Sequence, residues 1–175
     1  IFDWIRDGMG DAVVVARAGS GKAQPLDANV LYADGFVRMG DVREGDTIVG
    51  SDGKEQTVAG IYPQGVKPVF RLTLANGAST ECTADHWWTV RTDDTNVATV
   101  RFADVMLAPE RYRIPMADGT WCAVRSIEPV GDKPCQCISV SAPDGLYVTD
   151  DFIVTHNTTT MVEAIRRIPP NQKVL

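Results

Sequence analysis

The chain has no apolar run near the roughly 18 residues that a membrane span needs, and no secretory signal stretch is visible. It has no surplus of positive charge: 17 Lys and Arg stand against 23 Asp and Glu, a formal net charge of −6. Nucleic-acid surfaces need clustered Lys and Arg to meet phosphates. A membrane-embedded role and a dedicated nucleic-acid surface are therefore not expected, and a cytoplasmic location is. Cysteine and histidine are sparse. Cys82, Cys122, Cys135 and Cys137 are expected as thiols in that compartment. The one-residue gap in Cys135-Gln136-Cys137 does not fit common zinc-ligand spacing, and His86 and His156 stand apart from every cysteine. No metal site is expected. Helical text is also scarce between residues 23 and 157, confined to 38–43 and 102–107.

One absence is local. Ala16-Arg17-Ala18-Gly19-Ser20-Gly21-Lys22 is a phosphate-binding loop, which requires Ser or Thr directly after Gly-Lys. Ala23 stands there instead. The missing residue is Thr158, directly after Asn157. With residues 23–157 removed, the text reads Ala-Arg-Ala-Gly-Ser-Gly-Lys-Thr. The chain therefore reads as one protein interrupted by another, with junctions at Lys22–Ala23 and Asn157–Thr158.

What is present supports that division. The 44% hydrophobic and 23% charged content is ordinary for a globular protein. Residues 1–9 read as a short helix end, and 11–16 as a buried parallel strand leading into the loop. Residues 158–168 place Met161, Ala164, Ile165 and Ile168 on one helical face, stopped by Pro169-Pro170. Residues 1–22 and 158–175 thus make strand, loop and helix when joined. The 135 residues between them differ in texture. Short alternating runs at 29–33, 47–49, 56–62, 69–74, 87–90, 112–114, 122–130, 136–141 and 146–155 are separated by turn signals. These are Asp34-Gly35, Glu44-Gly45-Asp46, Ser51-Asp52-Gly53, Asn76-Gly77, Asp118-Gly119 and Asp144-Gly145, and the pattern predicts an all-β domain.

Joining Lys22 to Thr158 breaks two peptide bonds and makes one. Without an external energy source this needs a relay of acyl transfers, each with a placed nucleophile. The side-chain amide of Asn157 can attack its own carbonyl carbon, close a succinimide and cut the bond to Thr158. His156 is placed to polarise that carbonyl or move a proton.

These residues carry a resemblance. Residues 23–157 are similar to inteins, self-splicing inserts, of minimal size. Inteins end in His-Asn followed by Cys, Ser or Thr, as do His156, Asn157 and Thr158. They carry a Thr-x-x-His motif, matched by Thr83-Ala84-Asp85-His86, and an opening strand like residues 26–31. The resemblance implies the horseshoe-shaped all-β Hint (hedgehog/intein) fold, with both junctions brought together. Nothing resembles a homing endonuclease, and 91–111 reads as a polar spacer.

Most inteins begin with Cys or Ser, and this one begins with Ala23. Either Ala23 disables an ordinary class 1 intein, or the first nucleophile lies elsewhere. Class 3 inteins lack the first nucleophile and carry a Trp, Cys, Thr triad. Trp88, two residues after His86, fits its Trp; Cys137 fits its Cys; Thr158 fits its Thr. The resemblance then implies that Cys137 attacks the Lys22 carbonyl, with His86 and Thr83 assisting and Trp88 packing beside Cys137. Thr158 next takes the acyl group, Asn157 cyclises, and an oxygen-to-nitrogen shift completes the bond. Many inteins have a further His before the motif's aromatic residue. Gly145 sits in that place, leaving His156 alone or aided by Asp150 or Asp151.

The rejoined loop resembles the first motif of superfamily 1 helicases and related ATPases. In such a host Gly19, Gly21, Lys22 and Thr158 would bind ATP phosphates and Mg, and nucleic acid would be the host's partner. No cofactor is implied for splicing itself, which acts on its own flanking segments. A different class of reading is a nucleotide-binding module with an inserted regulatory β-domain.

Overall fold

The computed structural model describes residues 22–93 and 95–157, together with the main-chain strands 3–6 and 12–15. The phosphate loop expected through Gly21, and Thr158 with the helix expected after it, lie outside the described residues. In chain order the strands are β1 Asp3–Arg6, β2 Ala12–Val15, β3 Gln24–Pro25, β4 Asn29–Tyr32, β5 Gly35–Arg38, β6 Thr47–Val49, β7 Glu55–Leu74, β8 Ser79–Thr83, β9 Trp87–Arg91 and β10 Val97–Arg101. The one α-helix among the described residues, α1 Phe102–Leu107, comes next, before β11 Arg113–Pro115, β12 Trp121–Val140, β13 Leu146–Val148 and β14 Val154–His156. The all-β expectation holds. β2 falls where a strand was expected, but it pairs antiparallel with β1, so residues 3–6 are strand and not helix. Aromatic and β-branched residues such as Trp4 and Ile5 favour the extended form.

Two 20-residue strands, β7 and β12, pair antiparallel and form the spine, from Val58 opposite Val140 to Leu74 opposite Val124. Around them the main sheet runs β10-β9-β11-β12-β7-β6, with β3 added to β12 and β8 to β7. Each long strand was expected as two short ones, 56–62 with 69–74 and 122–130 with 136–141. The ladder instead continues across the gaps between them, with shifts of register between Pro129 and Gly131 and between Cys135 and Gln136. Gly65 and Gly131 sit at φ of 71° and 101°, which lets the strands bend there without ending. Conversely, 146–155 was expected as one strand and is a hairpin. Asp151 and Phe152 take positive φ (49° and 61°) in a short 3-10 turn between β13 and β14.

The core divides along this ladder. Val58, Ile138, Val140, Ile48, Met39 and Tyr147 fill one end, and Leu72, Leu74, Val124, Trp88, Phe102 and Ile114 fill the other. Between them in register is a small cluster of Ala23, Val69, Cys135 and Cys137. The bend in the ladder thus places a nucleophilic side chain at the start of the insert, enclosed by apolar residues.

Candidate functional site

β3 pairs with β12 so that Pro25 faces Cys135 and Gln24 faces Gln136. Continuing that antiparallel register brings Ala23 to Cys137, and both are buried at 0% and 1% exposure. Gln24 anchors the strand: Tyr147 Oη donates to its Oε1 at 2.6 Å, and its Nε2 donates to Thr149 Oγ1 at 3.1 Å. Burial pushes the Cys137 thiol up to about 11, opposed chiefly by the main-chain amide of Lys22. Cys137 is thus a thiol at neutral pH, set against the Lys22 backbone.

The Thr83–His86 turn closes on the same junction. Thr83 N–H donates to Ala23 O at 3.2 Å, the carbonyl one bond past Lys22–Ala23. Its hydroxyl also lies 3.2 Å from that oxygen and donates to the nearer Asp85 carboxylate. His86 N–H bonds to Thr83 O, and Phe102 N–H at the start of α1 bonds to His86 O at 2.6 Å, fixing the turn from both sides. His86 Nε2 meets Thr155 Oγ1 of β14 at 2.7 Å. Its Nδ1 makes no hydrogen bond, and the Lys22 carbonyl is the neighbouring group that most favours its protonation. Thr155 had no motif to announce it.

Trp88 is fully buried. Its ring meets His86 edge-on at 5.4 Å and lies 6.4 Å from Phe102, in the core that also holds Cys82. Cys137 belongs to the neighbouring small cluster. Trp88 therefore packs on the His86 ring and lies in a different apolar cluster from Cys137.

The downstream junction meets the upstream one. Asn157 N–H donates to Gly145 O at 2.6 Å, and the Asn157 residue is 2% exposed. His156 Nδ1 lies 2.5 Å from Asn157 O and Lys22 Nζ donates to the same oxygen at 2.9 Å. A carbonyl oxygen only accepts, so Nδ1 is the protonated nitrogen of His156. The residue just before Ala23 and Asn157, at the other candidate junction, are therefore in direct contact, 135 positions apart. Burial brings the Lys22 ammonium down to about 8. Asp150 and Asp151, weighed as helpers of His156, are engaged elsewhere. Asp150 accepts from Asn29 and Thr80, and Asp151 accepts from the Ser79 N–H. Among carboxylates, Asp144 is the one whose charge acts on His156.

Both imidazoles are held neutral. Burial first, then the neighbouring His156, takes His86 down to about 3; burial and the Lys22 charge take His156 down to about 4. In the unfolded chain both titrate near 6.5. Below that pH the unfolded state binds protons that the folded state refuses, so stability falls as pH falls. Full stability is expected above about pH 6.5, with progressive loss towards pH 3. Urea midpoints from pH 8 to 4 check this on chains blocked at both junctions, and a slope unchanged by His86→Asn contradicts it.

No protein-family profile matches the sequence. Comparison with solved structures identifies the fold: it is the Hint fold of inteins. A gp41-1 intein variant, in which Cys, Phe and Asp are replaced by Ala, Trp and Cys, superposes with a TM-score of 0.68 at 22% identity. It covers 78% of this chain and 100% of that one. The MchDnaB-1 intein gives 0.63 at 25% identity, covering 77% and 99%. In sequence, the replicative DNA helicase DnaB of Mycobacterium leprae (strain TN) is 26% identical over 88% of this chain, and that of Mycobacterium intracellulare 34% identical over 47%. The chain spans 27% and 14% of the length of these two relatives.

Proposed function

We propose that residues 23–157 are a mini-intein that excises itself and ligates Lys22 to Thr158, in a helicase-like ATPase host. The observation that carries this reading is the meeting of the two junctions: Lys22 Nζ on the Asn157 carbonyl oxygen, beside His156. An inserted binding domain also keeps its two ends close, but it has no need to aim a buried lysine and a histidine at the carbonyl of its last residue, whereas acyl transfer there does.

The route is of class 3 type. Cys137 Sγ attacks the Lys22 carbonyl carbon and the bond to Ala23 nitrogen breaks. The thiol proton passes in net to that nitrogen, with His86 as the relay. The upstream segment is now a thioester. Thr158 Oγ attacks it, the Cys137 thiolate leaves, and an ester links the two flanks. Asn157 Nδ2 attacks the Asn157 carbonyl carbon and expels the Thr158 amine, which then takes the acyl group from its own oxygen. Trp88 supports this by packing on His86. In keeping with the reading, the gp41-1 variant acquired by substitution the residue types that stand here at Ala23, Trp88 and Cys137. The division into flanks 1–22 and 158–175 rests on the split loop motif. In the rejoined host Gly19, Gly21, Lys22 and Thr158 form a site for ATP and Mg, and nucleic acid is the host's partner. Splicing itself needs no cofactor.

Mass analysis of the expressed chain tests the proposal. A 135-residue fragment ending in a succinimide, and the remaining flanks joined as one peptide, are expected. A chain that stays whole from pH 6 to 9 and from 4 to 45 °C contradicts it.

A further inference from the structure

The Asn157 carbonyl oxygen carries two donors. His156 belongs to the insert and was expected there. Lys22 does not: it is the last residue upstream of the insert. Its side chain is nonetheless turned inward, with the residue 9% exposed, and its Nζ reaches Asn157 O at 2.9 Å. None of the ion pairs among the described residues includes Lys22. Holding an ammonium this deep is unfavourable unless something negative forms beside it. A negative group does form there during Asn157 cyclisation. As Nδ2 attacks the carbonyl carbon, the carbonyl electron pair moves onto Asn157 O. The tetrahedral intermediate then collapses, the bond to Thr158 nitrogen breaks, and the proton lost from Nδ2 goes to that nitrogen.

We propose that Lys22 is a catalytic residue of the second cut, forming with His156 Nδ1–H a two-donor cradle for the oxyanion that develops on Asn157. This rests on the splicing reading and extends it. The charge–dipole contact in the ground state becomes a charge–charge contact in the transition state, so the interaction strengthens as the reaction proceeds. The insert thereby borrows a cation from its host. Cyclisation becomes coupled to the presence of the upstream segment, because loss of that segment by hydrolysis removes the cation as well. Release of the downstream flank is thereby slowed once the upstream segment has been lost. The residue that supplies the cation is the same lysine that would contact phosphate in the rejoined loop.

The test uses the full chain with Cys137→Ala, in which the Lys22–Ala23 bond stays intact and Asn157 cyclisation is the one step left open. Release of the segment 158–175 is followed by mass. Lys22→Met, similar in length and apolar, is expected to slow release about 10- to 100-fold, within the range for loss of one oxyanion donor when another remains. Lys22→Arg, which keeps the charge, is expected to recover most of the rate. In the Cys137-intact chain, where the Lys22 charge also favours the Cys137 thiolate, Lys22→Met is expected to slow release of the segment as well. Lys22→Met releasing the segment as fast as Lys22 in both settings overturns the proposal. So does a Met and an Arg variant that fail equally while circular dichroism shows both folded. A parent chain with Lys22 and Cys137 that processes at neither junction sinks the splicing reading itself, and this proposal with it.

Discussion

A Cys137→Ala chain keeps its Lys22–Ala23 bond. Scission there is expected to fall by about a thousandfold or more, the usual scale when a covalent nucleophile is removed. The reason is geometric. Ala23 has no side-chain nucleophile, and the register of β3 on β12 puts Cys137 opposite it in an enclosed cluster. Replacing one small buried group by another leaves that cluster packed, so the loss is chemical and not a failure to fold; circular dichroism verifies this. The parent rate should also rise with pH. Burial pushes the thiol up to about 11, so the thiolate fraction below that value grows about tenfold per pH unit. Upstream scission is expected to climb steeply from pH 7 to 9, as read by the intact-mass time course. Scission at the parent rate in the Ala variant would refute the Cys137 assignment, and a flat pH profile would show that thiolate formation does not control the step.

What the sequence conveyed follows from range. Turn signals are local, and Asp34-Gly35, Asp52-Gly53, Asn76-Gly77 and Asp118-Gly119 each join paired strands of the structure. Gly53, Gly77 and Gly119 take the positive φ that such turns require. The same residue type misled within β7 and β12, where Gly65 and Gly131 bend a ladder that continues on both sides. Local text does not say whether a glycine has a partner strand across from it. β8 and β10 were missed because residues 79–83 are mostly polar and Val-Ala-Thr-Val-Arg at 97–101 lacks clean alternation. For the site, motif spacing picked out His86, Cys137, His156 and Asn157. Their juxtaposition depends on pairings between residues more than a hundred positions apart, such as Gln24 with Gln136. Lys22 was marked as a junction residue, but the contact of its side chain with Asn157 had no signal, since a flanking lysine is ordinary until the chain folds around it.

Asn157→Ala is expected to abolish scission at Thr158, with a rate loss of about four orders of magnitude or more. Nothing else can close the ring: a side-chain amide is a weak nucleophile, and the reaction runs because attacking and attacked atoms belong to one residue, an advantage worth roughly 7–11 kcal/mol. The main chain of residue 157 keeps its hydrogen bond to Gly145 O in the variant, since that bond uses the backbone N–H. Cys137 and His86 are untouched, so the first transfers proceed and the relay halts at the branched ester. The expected species has two N-termini and one C-terminus, runs with the mass of the uncut chain, and falls apart in hydroxylamine. Asn157→Gln separates nucleophile from geometry: it keeps the amide but must close a six-membered ring from a longer side chain at a buried position, so slow scission is expected, between the parent and the Ala variant. Ordinary scission at Thr158 in the Ala chain would mean that hydrolysis, and not cyclisation, makes the second cut. The Lys22 and His156 donors on the Asn157 oxygen would then be serving water as the nucleophile.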